Sequence, residues 1–381
     1  MENIKYIGVN DHEIDLFEGQ YKVPNGMAYN SYLIIDEKIA VVDSVDSRFS
    51  EKWLENIDKE LKGKEPDYLV VHHVEPDHSG SIAHLMDKYQ NAKIVTSQRA
   101  LSMIKAFYQA DYIERCVVVK ENDTLYLGKR ELKFFLAPMV HWPEVVVSYL
   151  TGDKVLFSAD GFGKFGALDV EEDWACEARR YYFGIVGKYG VQVQALLKKL
   201  EGVEINAICP LHGPTLSENL GYYLDLYNTW SSYKPEKEGV FIAYTSVYGN
   251  TEKAVMILKD MILDRGIYNV SICDLAREDM HEAIEDAFKY DRLVLATTTY
   301  NGDIFPFMKE FINHLTERNY QNRTVALIEN GSWAPMASKI MRGMLEKSKN
   351  LNILDTGVII TSSVSSETLS QIKALARELC K

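Results

Sequence analysis

Residues 73–78, His-Val-Glu-Pro-Asp-His, carry two imidazoles and two carboxylates within one short stretch. They directly follow the apolar run Tyr68–Val71, which reads as a buried strand. A strand that ends in a loop lets side chains converge on a ligand, and imidazole with carboxylate is a donor set for a transition metal. The alternative is a polar loop whose histidines make ordinary hydrogen bonds.

Further side chains of the same type follow three other apolar runs. His141 follows Leu132–Met139, Asp160 follows Val155–Ser158, and His212 follows Ile205–Cys209. A lone histidine after a strand is more often a packed core residue. Donors at four strand ends predict instead a layered β fold with a dinuclear metal site on one rim.

The bulk properties limit the class of protein. The chain has 381 residues with 46% hydrophobic residues, enough for two domains with full cores. A net charge of -13 argues against a nucleic-acid partner, which would require clustered Lys and Arg. The five cysteines form no CxxC pair, which argues against a disulfide framework, a fused rubredoxin-type iron site and a thioredoxin-type redox pair. Without a signal peptide or a membrane-spanning apolar run, we expect a cytoplasmic protein.

The first half alternates short strands with a few helices. This pattern, with paired strands joined by tight turns such as residues 151–154, predicts an αββα sandwich. The predicted helices are Ser50–Leu61, Ser81–Tyr89, Arg99–Tyr108 and Ala175–Leu200. The polar segment Ser231–Gly239 reads as a linker, so we predict domains at 1–236 and 237–381.

The second half repeats a strand–helix unit. Buried strands are predicted at Val240–Tyr244, Asn269–Cys273, Arg292–Ala296, Thr324–Ile328 and Gly357–Thr361. Helices are predicted at Glu252–Arg265, Glu278–Phe288, Phe307–Glu317, Met336–Ser348 and Glu367–Cys380. Alternating units of this length predict a doubly wound parallel sheet of flavodoxin-like size.

Three loops at the carboxyl edge of this sheet predict a flavin site. The turn Thr245–Thr251 brings hydroxyls, a Gly and an Asn to a helix N-terminus, where unpaired N–H groups favour a phosphate; the alternative is an ordinary N-capped turn. The loops 297–303 and 329–335 add the aromatic residues Tyr300 and Trp333. Because the domain has no GxGxxG or GxxxxGK[ST] motif, FMN fits better than a dinucleotide or ATP.

With these motifs, nearly the whole chain resembles the flavodiiron proteins (A-type flavoproteins). In that family a metallo-β-lactamase-like domain with two irons precedes a flavodoxin-like domain with FMN. The family pattern HxExDH followed by H, D and H implies seven metal ligands here: His73, Glu75, Asp77, His78, His141, Asp160 and His212. Asp160 would bridge the two ions. Residues 29–33, Tyr-Asn-Ser-Tyr-Leu, resemble a further family signature.

The resemblance also implies the FMN contacts and the reaction. The FMN residues would be Ser246, Val247, Tyr248, Gly249, Asn250, Thr251, Thr299, Tyr300, Asn301, Gly302, Gly331, Ser332 and Trp333. The expected activity is reduction of O2 to water and/or NO to N2O. Electrons would come from reduced rubredoxin or a similar small carrier. A head-to-tail homodimer, or a dimer of dimers, would bring the flavin of one subunit to the irons of the other.

Several alternatives stay open. Tyr29 and Tyr189 are candidate proton donors or buried structural tyrosines. Trp333 is a candidate for the intersubunit contact or for flavin stacking, and His72 either supports the metal site or fills the core. One rival function is a zinc hydrolase of the metallo-β-lactamase fold with an appended flavin domain, although Glu75 replaces the second His of the hydrolase pattern HxHxDH with a harder donor. Another is an electron carrier with a vestigial metal domain.

Overall fold

The computed structural model describes residues 3–381 and divides the chain into two compact units between Asn228 and Thr229. The strands of the first unit are β1 (Ile4–Tyr6), β2 (Val9–Asp11), β3 (Leu16–Phe17), β4 (Tyr21–Lys22), β5 (Met27–Tyr29), β6 (Tyr32–Ile35), β7 (Ile39–Val42), β8 (Tyr68–Val70), β9 (Lys93–Thr96), β10 (Cys116–Val118), β11 (Thr124–Tyr126), β12 (Glu131–Leu136), β13 (Val146–Leu150), β14 (Val155–Phe157) and β15 (Ala207–Cys209). Its helices are α1 (Ser50–Leu61), α2 (Pro76–Ser79), α3 (Ile82–Lys88), α4 (Gln98–Tyr108), α5 (Trp174–Tyr181) and α6 (Gly190–Lys199), followed by α7 (Leu220–Ser231), which contains the point of division. The domain boundary predicted between 236 and 237 stays a prediction.

Two main sheets form the first unit. One has the order β1-β6-β7-β8-β9-β10 and the other β11-β12-β13-β14-β15. Apolar side chains from both sheets share one core, in which Val42 and Val70 of the first meet Phe134 and Phe157 of the second. The mixed α/β class and the β-lactamase-like sandwich predicted from the sequence are confirmed.

The arrangement of strands explains why one rim collects the polar side chains. β12 and β14 both run antiparallel to β13, and β15 runs parallel to β14. The carboxyl ends of β12, β14 and β15 therefore lie at the same edge of their sheet, where His141, Asp160 and His212 follow.

The prediction of one long helix over Ala175–Leu200 is wrong in the middle of that range. Helix α5 ends at Tyr181, a π-helical segment spans Tyr182–Val186, a 3-10 turn spans Gly187–Tyr189, and α6 begins at Gly190. Three glycines in this stretch weaken the α-helix. In addition, the Tyr21 hydroxyl donates a hydrogen bond of 2.8 Å to the Gly184 carbonyl. A Cβ atom at Gly184 would lie only 2.9 Å from the Tyr21 ring, so tertiary packing overrides the helical pattern there.

The second unit is a doubly wound sheet. Its strands are β16 (Lys237–Tyr244), β17 (Val270–Asp274), β18 (Tyr290–Tyr300), β19 (Asp303–Ile304), β20 (Thr324–Asn330), β21 (Asn352–Ile353) and β22 (Val358–Ile360). Its helices are α8 (Asn250–Leu263), α9 (Met280–Lys289), α10 (Pro306–Glu317), α11 (Ala337–Leu345) and α12 (Ser366–Leu379). The order β17-β16-β18-β20-β21 is parallel throughout, β22 also runs parallel to β20, and the short β19 returns antiparallel to β18. This is the flavodoxin-like order, and the predicted flavodoxin-like sheet is confirmed.

The predicted linker is shorter than expected. β16 begins at Lys237, so the last three residues of that linker belong to a strand instead. Within residues 3–381, no helix combines the length and the apolar character needed to cross a membrane.

Candidate metal centre and flavin pocket

The rim of the sandwich gathers all seven predicted metal ligands into two adjoining groups. His73, Glu75, His141 and Asp160 form one group, and Asp77, His78 and His212 form the other. Within each group the candidate ligand atoms lie within 4.8 Å of one another. Helix α2 begins directly after Glu75, with Pro76 as its first residue, and this short turn directs Asp77 and His78 inward.

Asp160 links the two groups through its two oxygens. Its Oδ2 lies 3.3 Å from His73 Nε2 and 3.5 Å from His141 Nε2. Its Oδ1 lies 3.6 Å from His212 Nε2 and 3.8 Å from His78 Nε2. One buried carboxylate therefore faces both sets of imidazoles, which is the geometry needed to share a ligand between two ions.

Unpaired polar atoms at the rim point to positively charged ligands. Both carboxylate oxygens of Asp77 and the Oδ2 of Asp160 are buried without a hydrogen bond among the described residues. The Nε2 atoms of His78 and His212 approach to 2.9 Å. Such an arrangement is costly for a protein on its own, because buried polar atoms normally have partners. Metal ions in the two groups would satisfy these atoms, so the donor set fits two ions.

Neighbouring groups fix the orientation of two rings. His73 Nδ1 donates to Glu144 Oε1 at 2.7 Å, and His212 Nδ1 donates to the Ala28 carbonyl at 2.7 Å. Each bond leaves the Nε2 lone pair directed into the cluster. Glu144 also accepts a bond of 3.0 Å from the Val74 N–H. The sequence analysis missed Glu144, which comes 71 residues after His73 in the chain.

His72 lies outside the cluster. Its Nδ1 is 2.6 Å from Asp43 Oδ2, and its Nε2 is 2.8 Å from Ser148 Oγ. Asp43 also accepts a hydrogen bond from the His72 N–H at 2.7 Å. His72 is therefore a buried, fully bonded residue that directs neither nitrogen into either ligand group.

The cluster perturbs the acidity of its own members. Burial raises the pKa of Asp77 to about 6, against the lowering effect of the His212 imidazole, whose Nε2 lies 3.3 Å from Asp77 Oδ2. Burial by itself would raise the pKa of Glu75 and lower that of His73. Hydrogen bonds from His141 and His73 nevertheless keep the Glu75 pKa well below its usual range. The carboxylates of Asp160 and Glu144 keep the pKa of His73 well above its usual range.

Two proton-bearing side chains adjoin the cluster and were not identified from the sequence. The Tyr181 hydroxyl donates to Asp160 Oδ1 at 3.0 Å, and burial, with the Asp160 charge, raises the Tyr181 pKa well above its usual value. Glu18 is exposed but lies near Glu75, and crowding by the surrounding protein, together with the Glu75 charge, raises the Glu18 pKa to about 7 in the metal-free cluster. No sequence motif around Tyr181 or Glu18 could have revealed that these residues lie beside the cluster.

The two predicted tyrosines differ in position. The Tyr29 ring lies 6.3 Å from the His78 ring and 6.1 Å from the His212 ring, and its hydroxyl donates to Asp11 Oδ2 at 3.2 Å. Tyr189 is half-buried in the turn before α6, and no hydrogen bond or ring contact joins it to the cluster within the described part of the chain. A role as proton donor stays a prediction for both.

The flavodoxin-like unit has a pocket of about 640 Å³ at the carboxyl edge of its sheet. Twelve of the thirteen predicted FMN residues line it: Ser246, Val247, Tyr248, Asn250, Thr251, Thr299, Tyr300, Asn301, Gly302, Gly331, Ser332 and Trp333. The thirteenth, Gly249, precedes α8 with a φ of 82°, a left-handed conformation that favours glycine. The pocket also includes Ser362, from a loop after β22 that the sequence analysis did not assign.

The pocket fits a phosphate at one end and an aromatic ring at the other. The backbone N–H groups of residues 247–249, next to the start of α8, have no hydrogen-bond partner within residues 3–381. Unpaired N–H groups at a helix N-terminus bind anions. Tyr300 and Trp333 present aromatic faces, and the Trp333 side chain is 83% exposed. These features suit FMN.

Comparisons with known proteins agree with both halves of the chain. A family model described as ODP family beta lactamase matches residues 27–213, and a flavodoxin domain model matches residues 241–369. A nitric oxide reductase from Moorella thermoacetica is 28% identical over 389 residues, which cover 99% of this chain and 96% of the relative. An anaerobic nitric oxide reductase flavorubredoxin from Vibrio vulnificus is 28% identical, and the aligned region covers 87% of this chain and 69% of the relative.

Solved structures give the same result. Rubredoxin oxygen:oxidoreductase from Desulfovibrio gigas matches with a TM-score of 0.92 and 26% identity, covering 100% of this chain and 96% of that chain. The flavodiiron protein from Giardia intestinalis matches with a TM-score of 0.92 and 25% identity, covering 100% of this chain and 95% of that chain. Two family models in this order, two full-length structural matches and a rim with two linked ligand groups lead to one conclusion: this chain has the fold and domain order of the flavodiiron proteins.

Proposed function

We propose that the protein is an oxidoreductase that reduces O2 to water and/or NO to N2O, with two irons and FMN as its cofactors. One observation carries this proposal. Asp160 divides its two oxygens between two groups of imidazoles and carboxylates, in a chain that also has an FMN-type pocket. A hydrolase would have no use for the electrons of a flavin.

The seven side chains of the rim would hold the irons, with His73, Glu75 and His141 on one ion, Asp77, His78 and His212 on the other, and Asp160 between them. Two irons supply redox capacity for two electrons and FMN supplies two more, which together meet the four-electron demand of O2. Carboxylates are hard donors, and a mixed set of histidines and carboxylates suits non-haem iron.

The protein itself would orient the ligands and supply protons. Glu144 and the Ala28 carbonyl hold the rings of His73 and His212 in one tautomer. Trp142 packs edge-on against His73 at 5.1 Å and helps to keep water from that side. Glu18 lies beside Glu75, where its carboxyl group can pass a proton toward the cluster. Tyr181 keeps its proton and holds Asp160 in place.

The FMN phosphate would lie against residues 246–251, where side-chain hydroxyl and amide groups supplement the free N–H groups. The ring system would lie between Tyr300 and Trp333, with Thr299, Asn301, Gly302, Gly331 and Ser332 at its polar edge. Trp333 is largely exposed, so it could meet another subunit as well as the flavin.

The assembly and electron donor are also part of the proposal. By analogy with the relative named rubredoxin oxygen:oxidoreductase, the donor is reduced rubredoxin or a similar small carrier. We further propose a head-to-tail homodimer or a dimer of dimers, a cytoplasmic location, and domains at 1–236 and 237–381.

Metal analysis and turnover test the proposal. Purified protein should contain two irons and one FMN per chain and should consume O2, NO or both when reduced rubredoxin is supplied. Assaying both gases side by side would establish the preference. Zinc in place of iron would support the rival hydrolase, and full iron without turnover of either gas would support the rival electron carrier.

A further inference from the structure

An enclosed apolar cavity borders two of the loops that carry proposed metal ligands. Helix α6 and the residue that follows it place Val193, Leu196, Leu197 and Leu200 on one face, at the spacing i, i+3, i+4 and i+7. These side chains line a cavity with about 10 Å³ of free volume, room for one molecule of about the size of water.

The opposite wall of this cavity is the backbone that carries two proposed metal ligands. Val140, which precedes His141, and Gly161, which follows Asp160, both line the cavity. The chain neighbours of His141 and Asp160 therefore form part of the cavity wall.

The polar atoms in the wall are already bonded. The Ser158 hydroxyl donates to the Gly161 carbonyl at 2.6 Å, and the Tyr227 hydroxyl oxygen accepts the Phe162 N–H at 2.5 Å. The Phe162 and Tyr227 rings stack with a centroid distance of 4.0 Å. A water molecule inside would have few hydrogen-bonding partners, so this apolar space suits a small apolar molecule better than water.

A surface groove adjoins the cavity and shares part of its wall. A pocket of about 860 Å³ lies between α6 and α7, with Leu220 and Leu224 in its lining. It shares Leu197 and Leu200 with the enclosed cavity. Leu197 is only half-buried, so it stands at the junction between the groove and the cavity.

We propose that this groove and cavity form an access route for a small apolar diatomic gas to the metal centre, with Leu197 as its gate. The inference rests on the proposed function. O2 and NO are weakly polar and enter apolar protein interiors more readily than water or ions do. Side-chain fluctuations on the picosecond to nanosecond scale suffice to pass a diatomic molecule between the groove, the cavity and the ligand loops.

Substitutions at the gate test the route through kinetics. Leu197→Phe should narrow the junction and lower kcat/KM for the gas about threefold or more, with kcat at saturating gas unchanged. Leu197→Ala should widen it and should not lower kcat/KM. The matched control is Val191→Phe, which adds an aromatic ring to the same helix at a position that is 73% exposed and lines neither space; it should match the wild type.

A further measurement does not depend on turnover. NO should bind the iron-loaded, reduced Leu197→Phe variant more slowly than the wild type. Equal NO association rates in the wild type and both Leu197 variants would overturn the route. If the wild type turned over neither gas but the NO rates followed these expectations, the proposed function would fail and the route would stand.

Discussion

Replacing Glu144 should weaken metal binding without unfolding the protein. Glu144 Oε1 accepts hydrogen bonds from His73 Nδ1 at 2.7 Å and from the Val74 N–H at 3.0 Å, and its side chain is fully buried. In Glu144→Gln an amide oxygen can accept both bonds, so the shape is kept and only the charge is lost. Partners of this kind typically contribute about 10- to 100-fold to metal affinity, or about 1.4–2.7 kcal/mol.

The assay is a competition titration of metal-free protein with Fe(II) against a chelator of known affinity, with thermal unfolding measured in parallel. We expect one of the two ions to bind about 10- to 100-fold more weakly in Glu144→Gln, with little change in the unfolding temperature of the metal-free protein.

Asp43→Asn is the matched control. Asp43 accepts hydrogen bonds from the ring and the backbone N–H of His72, just as Glu144 does from His73 and Val74. Because His72 directs no nitrogen into the cluster, the metal affinity of the Asp43→Asn variant should match that of the wild type. The reasoning would be refuted if Glu144→Gln bound both ions normally, or if Asp43→Asn lost affinity equally.

Three further predictions concern FMN, protons and assembly. The double substitution Asn250→Ala and Thr251→Ala should weaken FMN binding at least about tenfold, since hydrogen bonds to a charged group contribute roughly 1.5–3 kcal/mol each. Fluorescence titration measures the FMN affinity. A parallel loss of iron would contradict independent cofactor sites. The carboxylates of Asp160 and Glu144 raise the pKa of the His73 ring in the metal-free protein and so favour its protonated form. Metal must expel a proton from that form, so affinity should rise with pH by about tenfold per unit for each proton released. Calorimetry in buffers of different ionisation enthalpy should detect the release, and a pH-independent affinity would contradict it. Finally, a variant that has lost FMN through substitutions within residues 246–251 and the iron-deficient His141→Ala variant should each be inactive alone. Activity should return when their subunits exchange, and verified mixed dimers without activity would argue against head-to-tail transfer.

The sequence was sufficient for the architecture because its signals are local. Five strand–helix units and a linker before the first of them can be read from hydrophobic periodicity. The segment 73–78 and the three later donors all follow strands, and the ends of parallel strands meet at one edge. Ligand residues of this kind can be found without knowing which strands are neighbours.

The supporting residues could not be predicted, because their roles depend on contacts between distant segments. Glu144 and Glu18 are two of 55 acidic residues, and nothing in their local sequence marks them as neighbours of His73 or Glu75. The break in the predicted helix after Tyr181 depends on contact with Tyr21 from the N-terminal segment. The hydroxyl that reaches Asp160 belongs to Tyr181, before this break, whereas the candidate chosen from the sequence was Tyr189, which lies after it.

A single-turnover experiment tests the central proposal most directly. Protein loaded with two irons and FMN is reduced without oxygen and mixed in a stopped-flow instrument with O2 or NO, while the flavin absorbance is recorded. We predict rapid flavin reoxidation by at least one gas, and its loss in His141→Ala protein that retains FMN. Equal reoxidation rates with and without the irons would contradict the proposal, since the flavin would then react with the gas without the metal centre.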